Sequence, residues 1–240
     1  PVCIIYLLGM LKYKIENRMD IEKLTRVPVI GEIPSCTQVL KNKTNNIVVQ
    51  ENRNSITEET FRAIRTNLLF MLEKGEKVIL VTSSIPMEGK SFVAANLAVS
   101  LAFLGHKTLI IGMDIRKPGL NKTFGFSTRT HGVTNYLSNP EQVNLSDMII
   151  SSDINPYLHI LPGGSVPPNP TELVARPVFS QAIEEFPKFA IDILGELLHR
   201  TLKVGDGLLH RNERLSARRI LVTATIKVTV GKEIHIHIAS

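Results

Sequence analysis

The sequence predicts an α/β fold, a doubly wound parallel sheet with flanking helices. Three observations lead there. Wholly aliphatic runs at residues 78–81 and 109–111 have strand length and no polar alternation, as strands covered on both faces do. A helical pattern separates them, so the second strand follows the first by a crossover. The 240 residues suffice for one core with a small appendage, and 43% hydrophobic against 21% charged is an ordinary globular balance.

The elements follow in chain order. The chain begins at Pro1 and is expected to be a fragment. Residues 2–11 are apolar, and Lys12, Lys14 and Arg18 follow at once. About 20 apolar residues are needed to cross a bilayer, so this run alone is too short. It reads either as a buried element or, over residues 1–15, as the end of a membrane helix with its positive residues on the inner side. Charge follows the run instead of preceding it, which argues against a signal peptide. Residues 16–54 read as a juxtamembrane segment and linker. They hold a short helix, an extended stretch at 27–34 closed by Pro34, and a polar, Asn-rich run at 35–54.

Ser55 or Thr57 caps a helix running to about residue 73, with Glu58 and Glu59 in its first turn. Phe61, Ile64, Leu68, Leu69 and Leu72 give it an apolar stripe. Residues 77–82 form a strand, 90–104 a helix stopped by Gly105, and 107–112 a second strand. Short helices are expected at 132–137 and 145–150, and a third strand at 157–161. Residues 171–186 hold one or two helices, with Pro177 at a helix start. Residues 220–238 alternate about a turn at Gly231-Lys232 and read as a hairpin.

The chemistry concentrates in Thr82-Ser83-Ser84-Ile85-Pro86-Met87-Glu88-Gly89-Lys90-Ser91. A strand, a loop ending in Gly-Lys-Ser and a helix form a phosphate cradle of the P-loop NTPase type. Backbone N–H groups make an anion nest, and the helix N-terminus adds a favourable dipole. Lys90 would reach the β- and γ-phosphates, and the Ser91 hydroxyl would hold Mg²⁺. The strict pattern has Gly where Ser84 stands, and an ordinary strand-to-helix turn is the alternative reading. Asp114, at the end of the next strand, could hold Mg²⁺ or its waters. The alternative for it is a helix cap or a loop ion pair with Arg116.

Other classes are disfavoured. The chain has no Trp and 5% aromatics, so base stacking is not a theme. The net charge of +6 is concentrated at the end, where residues 187–240 hold 9 Lys and Arg against 5 Asp and Glu. No nucleic-acid partner is expected. Cys3 and Cys36 show neither metal spacing nor a disulfide framework. His235 and His237 share a strand face but have no third ligand nearby, so an exposed face is the better reading.

Several motifs stand in order along the chain. They are the Ser-Ser-Ile-Pro-x-Glu-Gly-Lys-Ser loop, Asp114-Ile115-Arg116-Lys117-Pro118, the stretch from Gly164-Ser165-Val166-Pro167 through Thr171-Glu172-Leu173, and Glu59-x-x-Arg62-x-x-Arg65. Together they resemble the bacterial tyrosine kinases of capsular and exopolysaccharide assembly. Residues 28–34 also stand where that family has a similar segment after its second membrane helix. The resemblance covers about residues 1–186. It implies an ATP-dependent tyrosine kinase domain at 55–186, controlling polysaccharide polymerisation and export. It implies ATP binding by Ser84, Ile85, Pro86, Met87, Glu88, Gly89, Lys90 and Ser91, catalysis by Lys90 and Asp114, and Mg²⁺ at Ser91 and Asp114. Glu59, Arg62 and Arg65 would sit at the subunit interface of a ring whose members phosphorylate one another's tyrosines. Their spacing independently places all three on one helical face, for which a solvated charged surface is the alternative. Implied partners are further copies of the chain, the polysaccharide export machinery, a tyrosine phosphatase and protein substrates. The implied location is the inner membrane, with this part facing the cytoplasm.

Three departures bear on activity. Met87 stands where the family has Gly, and at φ > 0 it would cost about 1–2 kcal/mol. Gly112 stands where the family has the first Asp of an Asp-x-Asp pair, assigned to Mg²⁺ and to the incoming tyrosine hydroxyl. After residue 185 the expected aliphatic strand ending in Asp-x-Pro-Pro is missing, and Asp192 is a poor substitute. The family's C-terminal tyrosine cluster is missing too, since Tyr6, Tyr13, Tyr136 and Tyr157 all lie earlier. The expectation is therefore a sheet incomplete at its C-terminus and a tail, 187–240, that is a frameshifted or misassembled translation. Reading the coding DNA in the other two frames tests this, and absence of Asp-x-Pro-Pro from both would end the idea. Little or no kinase activity is expected. One alternative is a non-catalytic nucleotide-binding regulator of polysaccharide export. Another is a partition-type ATPase, disfavoured because Ser83 and Ser84 stand where those proteins carry an additional Lys.

Overall fold

Both aliphatic runs lie in one eight-stranded sheet. The structure, a computed structural model, describes residues 18–24, 28–34, 46–51, 55–72, 78–83, 89–127, 129–186, 192–198, 222–229 and 233–239. Chain order gives α1 (Arg18–Leu24), β1 (Val29–Pro34), α2 (Ile56–Met71), β2 (Val78–Ser83), α3 (Lys90–Phe103) and β3 (Thr108–Gly112). Then come α4 (Gly119–Thr123), α5 (Val133–Ser138), a 3₁₀ turn (Leu145–Met148), β4 (Ile150–Ser151), β5 (Leu158–Leu161), α6 (Pro170–Ala175) and α7 (Pro177–Glu185). The last strands are β6 (Asp192–Leu198), β7 (Val222–Thr229) and β8 (Glu233–Ala239).

The spatial order is β1-β8-β7-β2-β6-β3-β5-β4. The five strands from β7 to β5 are parallel, and the flanking pairs are antiparallel. Alternate side chains of the central strands enter two different cores, which is why no polar alternation shows in the sequence. Ile79, Val81, Ile110 and Ile160 pack with residues of α2 and α3. Leu80, Leu109, Ile111 and Leu161 pack with α5, the 3₁₀ turn, α6 and α7. The sheet is thus wound on both faces, as predicted.

Local chemistry sets the helix ends. The Ser55 hydroxyl accepts from the Glu58 N–H at 3.1 Å and caps α2. The predicted stop at Gly105 is present: Gly105 N–H donates to Ala102 O and His106 N–H to Leu101 O, closing α3. Pro177 opens α7. Residues 145–150, predicted helical, divide into the 3₁₀ turn and the start of β4.

Part of the expected linker is docked. Ile47 and Val49 are buried in the α2/α3 core. Asn96 of α3 accepts from the Val48 and Val49 N–H groups at 2.7 and 3.1 Å and donates to Asn46 O at 2.9 Å. The polar composition around it hid the two apolar residues that do the docking. The N-terminal extended stretch is an edge strand, held to α2 by a 2.8 Å bond from Asn67 to Ile30 O.

The tail supplies three strands to the sheet. β6 fills the gap between β2 and β3, and β7 and β8 form the predicted hairpin. Register places Asp192 opposite Thr108 and the next residue, Ile193, opposite Val78, at the start of those strands. The end of β2, from which the phosphate loop follows, is level with Leu198, about 20 Å away at 3.3 Å per residue. Asp192 is therefore remote from the site. β8, with His235 and His237, runs between β1 and β7. Among the described residues no helix is long and apolar enough to cross a membrane. Residues 1–15 lie outside them.

Candidate functional site

The site is built at the C-terminal ends of β2 and β3. Gly89 enters α3 with φ +87°, a left-handed conformation that glycine adopts without Cβ strain. Its carbonyl accepts from Val93 N–H at 2.9 Å and starts the helix. Lys90 is the first helical residue and only 6% exposed. Burying an ammonium this deeply requires a partner. The Nζ lies 3.2 Å from Asp114 Oδ2, and the Asp114 side chain is 14% exposed.

Asp114 is held in place. Its Oδ1 accepts from Lys117 N–H at 3.1 Å, which closes a local turn. Met113 and Ile115 are buried on either side of it, anchoring the backbone. The sequence left open a loop ion pair with Arg116; the partner at Oδ2 is Lys90 across the site.

Gly112 has a steric reason to be glycine here. A Cβ built on it would lie 2.7 Å from Gly163 N and 3.2 Å from Gly163 Cα. The end of β3 and the loop after β5 touch backbone to backbone. That loop is fixed in turn: Pro162 O and Gly163 O accept from Val133 and Thr134 N–H at 2.9 and 3.1 Å. Thr134 Oγ1 donates to Ser165 O at 2.8 Å. The motif beginning at Gly164 is thereby anchored to α5.

The structure thus unites Gly89, Lys90, Ser91 and Asp114. Ser84, Ile85, Pro86, Met87 and Glu88 lie outside the described residues, as do Tyr6 and Tyr13. Register places Glu196 level with Gly112 and Val81, a position the sequence reading passed over. An acidic residue interrupting an aliphatic run was the available signal. Among the described residues no group of three or more His, Cys, Asp and Glu is placed to hold a metal.

The charged helix motif divides in two. Arg62 donates to Glu58 at 2.7 Å and to Glu59 at 2.8 Å. The Glu59 side chain is 61% exposed, whereas Glu58 is 2% exposed. Arg65 turns to α3 and donates to Ser100 O at 2.6 Å and to Ser100 Oγ at 3.2 Å. Burial, with Arg62 close by, pulls its guanidinium below the usual arginine range. The single face expected for Glu59, Arg62 and Arg65 is therefore a surface pair and an internal tie. Glu58, which the motif skips, supplies the buried carboxylate. A cavity of about 230 Å³ opens between Glu51, Glu58, Arg65 and Phe103, away from Lys90.

No model of a protein family matches the chain. Individual proteins do. It is 43% identical over 128 residues to tyrosine-protein kinase CpsD of Streptococcus agalactiae, covering 53% of this chain and 54% of that protein. Among solved structures, the chimerical protein CapA2B2 superposes with a TM-score of 0.66 at 31% identity, over 76% of this chain and 75% of that one. The chain belongs to the bacterial tyrosine kinases. The kinase domain of Escherichia coli tyrosine kinase ETK superposes with a TM-score of 0.69 at 26% identity, over 77% of this chain and 74% of that one. This bacterial tyrosine kinase chain spans about half the length of the curated relatives it matches.

Proposed function

We propose that the chain is the nucleotide-binding domain of a bacterial tyrosine kinase acting in polysaccharide polymerisation and export, and that it binds ATP better than it transfers the phosphoryl group. The observation that carries the reading is the buried Lys90–Asp114 pair at the head of a buried helix.

Lys90 exchanges Asp114 for the phosphate oxygens of ATP, and the start of α3 adds its dipole. Residues 84–88 would wrap the phosphates with backbone N–H groups. Mg²⁺ ordinarily takes one or two carboxylates and completes its shell with phosphate and water. The Ser91 hydroxyl and the fixed Asp114 carboxylate fit that requirement and would hold it. Bound there, the ion would neutralise charge on the β- and γ-phosphates.

The acceptor side is weaker. Gly112 offers no carboxylate to orient a tyrosine hydroxyl, and Gly163 fills the space beside it. That packing also favours the second reading, a nucleotide-binding regulator without phosphotransfer. Assembly would use the exposed Glu59–Arg62 pair of α2, with Arg65 supporting it from inside. Attachment to the membrane would run through residues 1–15.

The test is ATP binding by calorimetry together with phosphotyrosine detection after incubation with Mg-ATP. ATP should bind, Lys90→Ala should weaken binding about a hundredfold, and phosphotyrosine should stay at the Lys90→Ala level. Strong autophosphorylation that disappears in Lys90→Ala would sink the claim of slow transfer. Gly112→Asp should not restore transfer, and overpacking against Gly163 should cost about 2–3 kcal/mol of stability. A gain of phosphotyrosine in that variant would show that only the carboxylate was missing.

A further inference from the structure

We propose that residues 115–131, which leave the end of β3 and return to the edge of the site, form a docking surface for an acidic peptide. The surface lies beside the phosphate site, not in it, and goes beyond the nucleotide reading.

The stretch holds Arg116, Lys117, Lys122 and Arg129 and no Asp or Glu. All four cations are exposed. Asp114, just before them, is paired with Lys90 across the site. Both ends of the stretch are pinned to one loop. Pro118 Cβ lies 3.6 Å from where a Cβ on Gly163 would stand, and a Cβ on Gly132 would meet Pro162 O and Gly164 N. Val133 N–H also donates to Pro162 O at 2.9 Å. Lys117 adjoins the first anchor, and Arg129 is close in sequence to the second. The middle is held by the core. Leu120 is buried between α2 and α3, with Phe124 and Phe126 packed against that cluster. Phe126 N–H donates to Asn121 O at 2.7 Å. α4 thus turns its apolar residues inward and leaves Lys122 in solvent.

These features choose among polyanions. A single exposed ion pair contributes little, so a ligand gains only by meeting several cations at once. No large apolar residue of the stretch is exposed, so nothing there inserts into a bilayer. No aromatic ring is exposed there to stack on a base either. Val166, just beyond the anchoring loop, is 57% exposed and offers an apolar foothold beside the cations. A peptide with several carboxylates and one apolar side chain meets both.

The experiment is fluorescence anisotropy of a short labelled peptide, glutamates and glycines around one leucine, titrated with the whole chain. Glutamine in place of its glutamates should weaken binding at least about tenfold. Lys122→Glu combined with Arg129→Glu should do the same. The same change of charge at exposed Lys23 of α1 and Lys107 at the start of β3 should weaken it less than about threefold. Equal losses from the two pairs would reduce the surface to net charge and overturn the inference. So would tighter binding of a DNA duplex, or of vesicles of anionic phospholipid, than of the peptide. Saturating Mg-ATP should leave the peptide bound, and its displacement would place the peptide on the phosphate site and overturn the inference as well. Failure of ATP itself to bind would sink the nucleotide reading alone. Circular dichroism checks folding, and Lys122→Gln with Arg129→Gln serves if the glutamate pair does not fold.

Discussion

The head and the body of α3 both bury polar side chains, and they do so in different ways. At the head, Lys90 meets Asp114 at 3.2 Å, longer than the 2.7–2.9 Å usual for a charge-assisted bond. Two turns on, Asn96 is fully buried and makes four bonds: Val48 and Val49 donate to its oxygen, and its amide donates to Asn46 O and Phe92 O. Near the other end, Ser100 O takes Arg65 at 2.6 Å. Where all the hydrogen-bonding capacity of a buried group is met by backbone of its own chain, the group holds architecture. Where its partner is a charge that a stronger anion can replace, the group is poised for a ligand.

The largest expected effect would break that contrast if it failed. Asn96→Ala leaves the N–H groups of residues 48 and 49 without their acceptor and should cost about 3–5 kcal/mol in urea unfolding. ATP affinity of the molecules that remain folded should be unchanged. A loss of affinity equal to that of a Lys90 variant would mean that the two regions are not separable.

Lys90→Ala should act on the ligand as well as on the fold. ATP affinity should fall by about a hundredfold, and the unpaired Asp114 carboxylate should cost about 3 kcal/mol of stability, measured by calorimetry and chemical denaturation on the same preparation. An unchanged ATP affinity would make Lys90 an architectural residue like Asn96.

Arg65→Ala sharpens the boundary along α2. Loss of its bond to Ser100 O should cost about 1–2 kcal/mol in the monomer, against about 0–0.5 for the exposed Glu59→Ala. In sedimentation, Glu59→Ala should weaken self-association more than its stability effect explains. Equal effects of the two substitutions on stability would contradict the division of the motif into surface pair and internal tie.

The smallest effect comes from the opposite face of the sheet. Tyr136 is buried on α5, and burial with Glu185 nearby raises its hydroxyl above the usual 10.0. The folded state therefore holds the proton more tightly than the unfolded one. That contribution is intact below pH 10 and is lost as pH rises through the folded value. Tyr136→Phe should flatten the fall in stability above pH 10 in alkaline denaturation, and an unchanged profile would show that another group governs it.

Much of the fold was legible because the central strands are unbroken aliphatic runs, and Ser55, Gly105 and Pro177 end or begin helices by local bonding. The docking of residues 46–51 was not legible. Ile47 and Val49 carry a two-residue period too short to stand out, and Asn96, which accepts from the Val48 and Val49 N–H groups, lies almost 50 positions away. In the tail the hairpin of β7 and β8 was legible, but the placement of β6 was not. An aliphatic stretch reads the same in any register, and only pairing with β2 and β3 sends Asp192 to the far end and Glu196 level with Gly112.

By itself, then, the sequence determined the kind of site: a strand, a Gly-Lys-Ser turn, a helix and an aspartate at the next strand's end. Those signals are local, and local backbone chemistry suffices to produce them. Tertiary structure alone decided which charges are spoken for. It paired Lys90 with Asp114, turned Arg65 inward to Ser100 and set Gly112 against Gly163. Whether a buried charge is structural or available depends on what lies within about 3 Å of it, and that distance is set by elements far apart in the chain.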